Sequence, residues 1–185
     1  MSKSQRGFTL VELLVTISMM AIITAGVFSY SRNSENRNNL NRAKERLMFE
    51  IQRAESLAMS NSQNPTDTRT DKGKWIQWGV AINDGGSYRI ESRTCPSGAT
   101  DIDKGACGSK TVIKLEDIKL PAGINLDTNS SDSGIYFLAP EPAVYQESGS
   151  KLSGSSVATF VLQYNNDSNK QIIIKVNAIG QVNSN

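Results

Sequence analysis

The chain has 185 residues, enough for one domain, or for one domain with a tail. It contains 20 Lys and Arg against 18 Asp and Glu, two Cys and no His, which excludes histidine-based acid–base catalysis and a thiolate or histidine zinc site. No phosphate-binding loop, dinucleotide fingerprint or nucleophile-elbow motif occurs, so the composition argues against an enzyme.

The first thirty residues combine a short basic leader with one apolar run. Residues 1–7 contain Lys3 and Arg6 and no acid, so the chain's small positive excess is no sign of a nucleic-acid binder. Residues 8–30 contain a single charged residue, Glu12. As a helix they would span roughly 35 Å, enough for a hydrocarbon core of about 30 Å. The basic leader predicts a single membrane pass with the N-terminus in the cytoplasm.

Three interpretations of this run are open: a secretory signal peptide, a plain membrane anchor, and a segment in which the acid has a purpose. A charged side chain at the bilayer centre costs on the order of 2.5–3.5 kcal/mol. A simple signal or anchor has no reason to carry Glu12, and no basic residue within the run can pair with it. The third interpretation therefore requires a partner from elsewhere.

Residues 7–14 read Gly-Phe-Thr-Leu-Val-Glu-Leu-Leu. This segment resembles the processing site of the type IV pilin and type II secretion pseudopilin superfamily. The resemblance implies that a prepilin peptidase cleaves between Gly7 and Phe8, that Phe8 is then N-methylated, and that residues 1–7 are a leader peptide. It also implies that Glu12 pairs with the N-terminal amine of a neighbouring subunit during assembly, where the low dielectric strengthens such a pair.

Residues 31–64 are predicted to continue the helix as an amphipathic stalk. Apolar residues recur at spacings of three and four, as on one face of a helix. These residues are Leu40, Ala43, Leu47, Ile51, Ala54 and Ala58. We expect the helix to run from Phe8 to about Ser60, because Pro65 disfavours helical geometry in the residue before it. A kink is possible at Gly26.

Charged residues fill most of the remaining stalk positions. The basic ones are Arg32, Arg37, Arg42, Lys44, Arg46 and Arg53. They could bind DNA or acidic headgroups, but a solvated or intersubunit helix face is the favoured interpretation.

Residues 65–185 are predicted to form a β-rich globular domain of six or seven short antiparallel strands. Two hairpins are indicated by strand-forming runs on either side of turn residues. They pair 75–82 with 88–93, and 157–164 with 171–176. Shorter strands are expected at 111–115, 124–126 and 135–138, and residues 179–182 could extend the last strand. The predicted fold class is α+β, type IV pilin-like, with a helix that is transmembrane in its first half (8–30) and packs on the β domain in its second.

The C-terminal segment, residues 172–182, resembles the final strand of GspH/FimT-like minor pilins and pseudopilins. In DNA-binding members of that group, the residues after a glycine are basic. Here Gln181 follows Gly180, and residues 183–185 are polar and uncharged. DNA is therefore a possible partner that the C-terminal sequence does not support.

Cys95 and Cys107 are expected to form a disulfide, because the β domain lies outside the cytoplasm if the N-terminus is inside. Such a bridge would contribute about 3 kcal/mol, and two free thiols are the alternative. The loop between them contains Asp101-Ile102-Asp103-Lys104-Gly105, which faintly resembles the start of a calcium loop without its later ligands. We expect no cofactor, and calcium remains a weak alternative.

Together these features predict a structural subunit, most similar to a minor pilin or pseudopilin, of a type IV pilus or a type II secretion pseudopilus. The expected partners are other subunits through the N-terminal helix, the prepilin peptidase, the inner-membrane assembly platform and, before assembly, the lipid bilayer. The expected location is the bacterial inner membrane and then a periplasmic pseudopilus or a cell-surface pilus. The alternatives are a tip or uptake subunit that binds DNA or a surface, and a secreted globular protein with an ordinary signal peptide.

Overall fold

The computed structural model describes residues 9–60, 75–84, 86–95, 111–128, 133–138, 143–146, 151–165 and 167–184. One helix, α1, covers Leu10–Met59. The strands in these ranges are β1 Trp75–Asp84, β2 Ser87–Cys95, β3 Thr111–Lys119, β4 Ile124–Thr128, β5 Gly134–Leu138, β6 Ala143–Gln146, β7 Val157–Tyr164, β8 Asp167–Asn177 and β9 Val182–Ser184. The chain divides into two units, Met1–Asn38 and Asn39–Asn185.

Helix α1 begins immediately after Thr9, whose Oγ1 accepts a hydrogen bond from the Glu12 N–H at 3.2 Å. This bond satisfies one of the N–H groups that a helix start leaves without an intrahelical partner. The helix ends at Met59, and the Ser60 N–H still reaches the Ser56 carbonyl at 3.0 Å. The predicted end before Pro65 is confirmed, and Gly26 does not interrupt the helix.

The second half of α1 contributes one face to the hydrophobic core of the unit formed by residues 39–185. All of the predicted apolar stalk positions are buried, with exposures of 7% or less. They are Leu40, Ala43, Leu47, Ile51, Ala54 and Ala58. The same core contains residues of both sheets, among them Trp78, Phe137 and Phe160. The α+β fold class, with a long N-terminal helix and antiparallel strands, is confirmed.

The nine strands described form two antiparallel sheets. The first has the order β3-β2-β1-β5-β6, and the second has the order β4-β7-β8-β9. The predicted hairpins are β1 with β2 and β7 with β8. At the first turn, Asp84 accepts hydrogen bonds from the Ser87 hydroxyl and the Gly86 N–H, which hold the pKa of its carboxyl below the ordinary value. These bonds favour the tight turn.

Two strands differ from the sequence-based expectation. Strand β6 was not predicted, because its four residues follow two prolines and are too few for a periodic pattern. The expected extension of the last strand by residues 179–182 is wrong. The chain turns after Asn177, with Gly180 at φ +86°, and β9 pairs back onto β8 with Val182 opposite Val176. A left-handed φ favours glycine, and a turn here reverses the chain instead of extending it.

Candidate functional site

The start of α1 exposes its apolar side chains on every side. Residues Leu10–Val27 form an 18-residue segment with a mean hydropathy of 2.2 and no buried residue, long and apolar enough to cross a membrane. Its large side chains are between 43% and 81% exposed. Water-soluble proteins rarely expose so large and continuous an apolar surface. This segment therefore requires lipid or another protein around it.

The polar side chains in this segment, apart from one, are satisfied within the helix. The hydroxyls of Thr16, Ser18 and Thr24 donate to the carbonyls of Leu13, Leu14 and Met20 at 2.7–2.8 Å. Such local bonds remove the cost of placing a hydroxyl in an apolar medium.

Glu12 is the exception in residues 10–27. Its carboxylate has no hydrogen bond or ion pair to the described residues, and it lies in the first turn of α1. The positive end of the helix dipole favours a carboxylate there. Thr9 and Glu12 also have the T-x-x-E spacing of a capping box, in which Glu at the third helical position can reach back to the cap. This local role of Glu12 was not predicted, although the T-x-x-E spacing is readable in the sequence.

Several predicted site residues lie outside the described part of the chain. They are Gly7, Phe8, Cys107 and the loop 101–105 that resembles a calcium site. The cleavage site, the disulfide and the calcium alternative therefore stay predictions. The backbone of Cys95 ends β2, opposite Trp75 of β1. Among the residues that are described, no group of three His, Cys, Asp or Glu side chains could hold a metal ion.

A buried ionic network on the first sheet was not predicted. The Glu91 carboxylate is fully buried and accepts hydrogen bonds from Tyr136 Oη, Arg89 Nε and, at 3.3 Å, Arg93 Nε. The Arg93 guanidinium also stacks 3.5 Å from the centre of the Tyr136 ring. The sequence did not indicate this network, because charged and apolar residues alternate in β2. In a strand, every second residue lies on the same face, and a polar face normally contacts solvent. We assign it a structural role, since its charges are paired and Glu91, Arg93 and Tyr136 are buried, while Arg89 is partly exposed.

A second polar feature lies at the C-terminal end of the chain. Gln52 and Glu55 of α1, with residues 179–183, line a groove with a volume of about 440 Å³, here named the C-terminal groove. Asn177 braces the turn of this groove, because its side-chain oxygen accepts hydrogen bonds from the N–H groups of Ile179 and Gln181. Burial raises the pKa of Glu55 above its ordinary value.

The described part of the C-terminal strand adds no basic residue to those of the stalk. Arg53 is paired with Glu50 at 3.3 Å and with Glu116 at 3.4 Å, which joins α1 to β3. Arg37, Arg42 and Arg46 are exposed. The residue after Gly180 is the uncharged Gln181. Strand β9 therefore adds no charge that could grip a phosphate backbone.

Comparison with known proteins gives one family match, to the N-terminal segment, and similarity to two solved structures. Residues 2–28 match the family described as "Prokaryotic N-terminal methylation motif". Two crystal structures of the type IV minor pilin FimU of Pseudomonas aeruginosa (strain PAO1) are similar to this chain. The first has a TM-score of 0.47 at 17% identity and covers 80% of this chain and 90% of that chain. The second has a TM-score of 0.45 at 16% identity and covers 79% and 92%.

No curated protein sequence matches the chain significantly. The family match includes Gly7, Phe8 and Glu12, the residues on which the predicted resemblance depends. The chain therefore carries, in residues 2–28, the prokaryotic N-terminal methylation motif that its resemblance to type IV pilins and pseudopilins predicts.

Proposed function

We propose that this protein is a structural subunit of a type IV pilus or a type II secretion pseudopilus, similar to the minor class, which assembles through α1. One observation carries the proposal. An exposed apolar helix start, within a methylation motif, holds one carboxylate that has no ion-pair partner among the described residues. That carboxylate requires a cation in an apolar setting, and an assembled neighbour can supply one.

The processing steps follow from the motif. A prepilin peptidase cleaves between Gly7 and Phe8, and the Phe8 amine is then N-methylated. The new N-terminus lies four residues before Glu12, so each mature subunit carries one cation and one carboxylate close together. The partners are the peptidase, the assembly platform and other subunits, first in the inner membrane and then in the filament.

Assembly replaces lipid around α1 with neighbouring helices. Lipid chains are about as apolar as Leu or Ile, so this exchange has little hydrophobic driving force. Side-chain packing and the pairing of polar groups must therefore decide which subunits associate. An amine of one subunit beside Glu12 of the next would neutralise both charges and set the register between the two chains.

The experiment compares two glutamates of the same helix. Glu12→Gln removes the charge inside the apolar segment, and Glu35→Gln removes an exposed charge outside it. Each full-length variant is expressed in cells with the peptidase and assembly machinery, and mature protein is measured in membranes and in sheared filaments. We expect the Glu12 variant to be cleaved and held in the membrane but lost from filaments, while the Glu35 variant assembles normally. Normal assembly of the Glu12 variant would refute the proposed mechanism.

A further inference from the structure

The C-terminal groove contains a half-buried carboxylate that has no ionic partner in the described part of the chain. Glu50 and Glu91, the buried acids of the described residues, are each paired with arginine. Glu55 is half-buried at the edge of the groove and makes no ion pair with any described residue. A carboxylate that loses hydration without gaining a cation is unfavourable, so its surroundings favour a positive ligand.

The backbone of Gly180 lies close to this carboxylate. A Cβ at position 180 would lie 2.8 Å from Glu55 Oε1, and Gly180 has φ +86°. Glycine is favoured at this left-handed φ, and its missing Cβ leaves room for the carboxylate. The amide side chains of Gln181 and Asn183 line the same groove and can accept hydrogen bonds.

Helix α1 itself carries a complementary cation. Arg46 is exposed and makes no ion pair with the described residues. It precedes Glu55 by nine residues, about two and a half turns, so the two side chains leave α1 on opposite flanks. They are about 13 Å apart along the helix axis, too far for a pair within one chain.

We propose that the C-terminal groove of one copy of this protein receives the Arg46 side chain of a second copy. Subunits that point the same way in a filament associate head to tail, so one flank of each helix faces the opposite flank of its neighbour. Such an arrangement brings Arg46 of one copy towards Glu55 of the next. The inference rests on the proposed assembly through α1.

The groove suits an arginine in both charge and shape. The guanidinium can bind the Glu55 carboxylate and the lining amides, because it presents several N–H donors in one plane. The side chain of Ile179, 56% exposed at the groove, offers an apolar contact for the methylene stem. A pair of this kind sets register and partner choice more than it adds affinity.

The test reverses the two charges in the full-length chain and measures incorporation into sheared filaments. Arg46→Glu and Glu55→Arg each place like charges together, and we expect each to lower incorporation roughly fivefold. The double variant restores opposite charges and is expected to recover wild-type incorporation. The control combines Arg46→Glu with Glu45→Arg, which preserves net charge but places the new arginine elsewhere and should not recover.

A crosslink tests the same contact independently of the charges. Cells co-express an Arg46→Cys copy and a Glu55→Cys copy, and mild oxidation should give a dimer in filaments. Pairing Arg46→Cys with Ser56→Cys, on the exposed face of the same turn, should give much less dimer.

The possible results separate the inference from the proposed function. If the wild-type chain enters filaments but the single reversals do so equally well, or the double reversal does not recover, the inference is wrong and the function stands. The same holds if the 46–55 crosslink is no stronger than its control. If the wild-type chain never enters filaments, both are wrong.

Discussion

Two buried tyrosines of the first sheet, Tyr88 and Tyr136, show how a buried hydroxyl group can either stabilise or destabilise the fold. Tyr136 Oη donates to the buried Glu91 carboxylate. Tyr88 Oη is also buried but has no hydrogen-bond partner among the described residues, and burial is the largest cause of its raised pKa. A buried hydroxyl stabilises a fold only when it is paired, because it otherwise loses its hydration without compensation.

The same substitution should therefore act differently at the two sites. Tyr136→Phe removes a bond to a charged group and should lower the free energy of unfolding by about 1.5–3 kcal/mol. Tyr88→Phe removes an unpaired hydroxyl and should leave stability unchanged or raise it by up to about 1 kcal/mol. Denaturant unfolding of the detergent-solubilised chain measures both. Equal destabilisation by the two substitutions would contradict the assignment.

Glu55 gives a prediction for pH dependence. Burial raises its pKa in the folded chain, so the folded state binds this proton more tightly than the unfolded state does. Stability from this group is therefore lost as the pH rises from the unfolded pKa, about 4.3, through the raised folded pKa. Glu55→Gln stays neutral at every pH. In the unassembled protein we expect the variant to have a higher Tm than the wild type at neutral pH and an equal Tm in acid, measured by thermal unfolding. A difference that does not change with pH would rule out this account.

At the scale of the element, α1 changes role along its length. Over Leu10–Val27, large apolar side chains are exposed on all sides of the helix. After residue 39, one face of the helix is buried and the opposite face carries most of the charged residues. Leu47 is fully buried in the core, and Phe49, two positions later, is 61% exposed. These two residues test the amphipathic assignment within a single turn.

Truncation of the two side chains should separate burial from hydrophobicity. Leu47→Ala leaves a cavity in the core and should cost about 2–5 kcal/mol of unfolding free energy. Phe49→Ala removes a larger side chain but should cost less than about 0.5 kcal/mol, because that side chain is solvent-exposed in the single chain. Denaturant unfolding of the unassembled protein checks both values. A larger cost at Phe49 would show that the exposed and buried faces are wrongly assigned.

The elements that could be predicted from the sequence are those long enough to show a repeating apolar pattern or to be bounded by clear turn residues. Helix α1 and the hairpins β1–β2 and β7–β8 follow from repeated apolar spacing and from turn residues between strands. Strands β6 and β9 have only four and three residues, too few to show a repeating apolar pattern. Their pairing with β5 and β8 therefore could not be predicted from the pattern of apolar residues. The arrangement of the strands as two sheets likewise depends on tertiary packing, which a propensity scale does not contain.

The features of the candidate site also differ in whether they could be predicted from the sequence. Glu12 was predictable, because one carboxylate in an apolar run of 23 residues is anomalous on its own. The Glu91 network and the C-terminal groove were not, because their members come from separate elements. Glu55 in particular reads as one more surface acid of a charged helix until Gly180, 125 residues later, is placed beside it.

At the scale of the whole molecule, the two units differ in how their described apolar side chains are buried. In the first, Met1–Asn38, residues 10–27 have an apolar surface that a water-soluble protein would not leave bare. The second, Asn39–Asn185, contains a closed core of both sheets and the second half of α1. This division suits the proposed subunit, whose helix would hold it in a membrane and then in a filament.

In the proposed function, the N-terminal segment is a processed assembly helix and not a discarded signal. The most direct test is the intact mass and N-terminal residue of the membrane-extracted protein, from cells with and without the prepilin peptidase. We expect a mature chain that begins at methylated Phe8 and retains Glu12 when the peptidase is present, and the unprocessed chain when it is absent. A mature chain that begins near Gly26, with or without the peptidase, would contradict the account, because Glu12 would be lost with the leader.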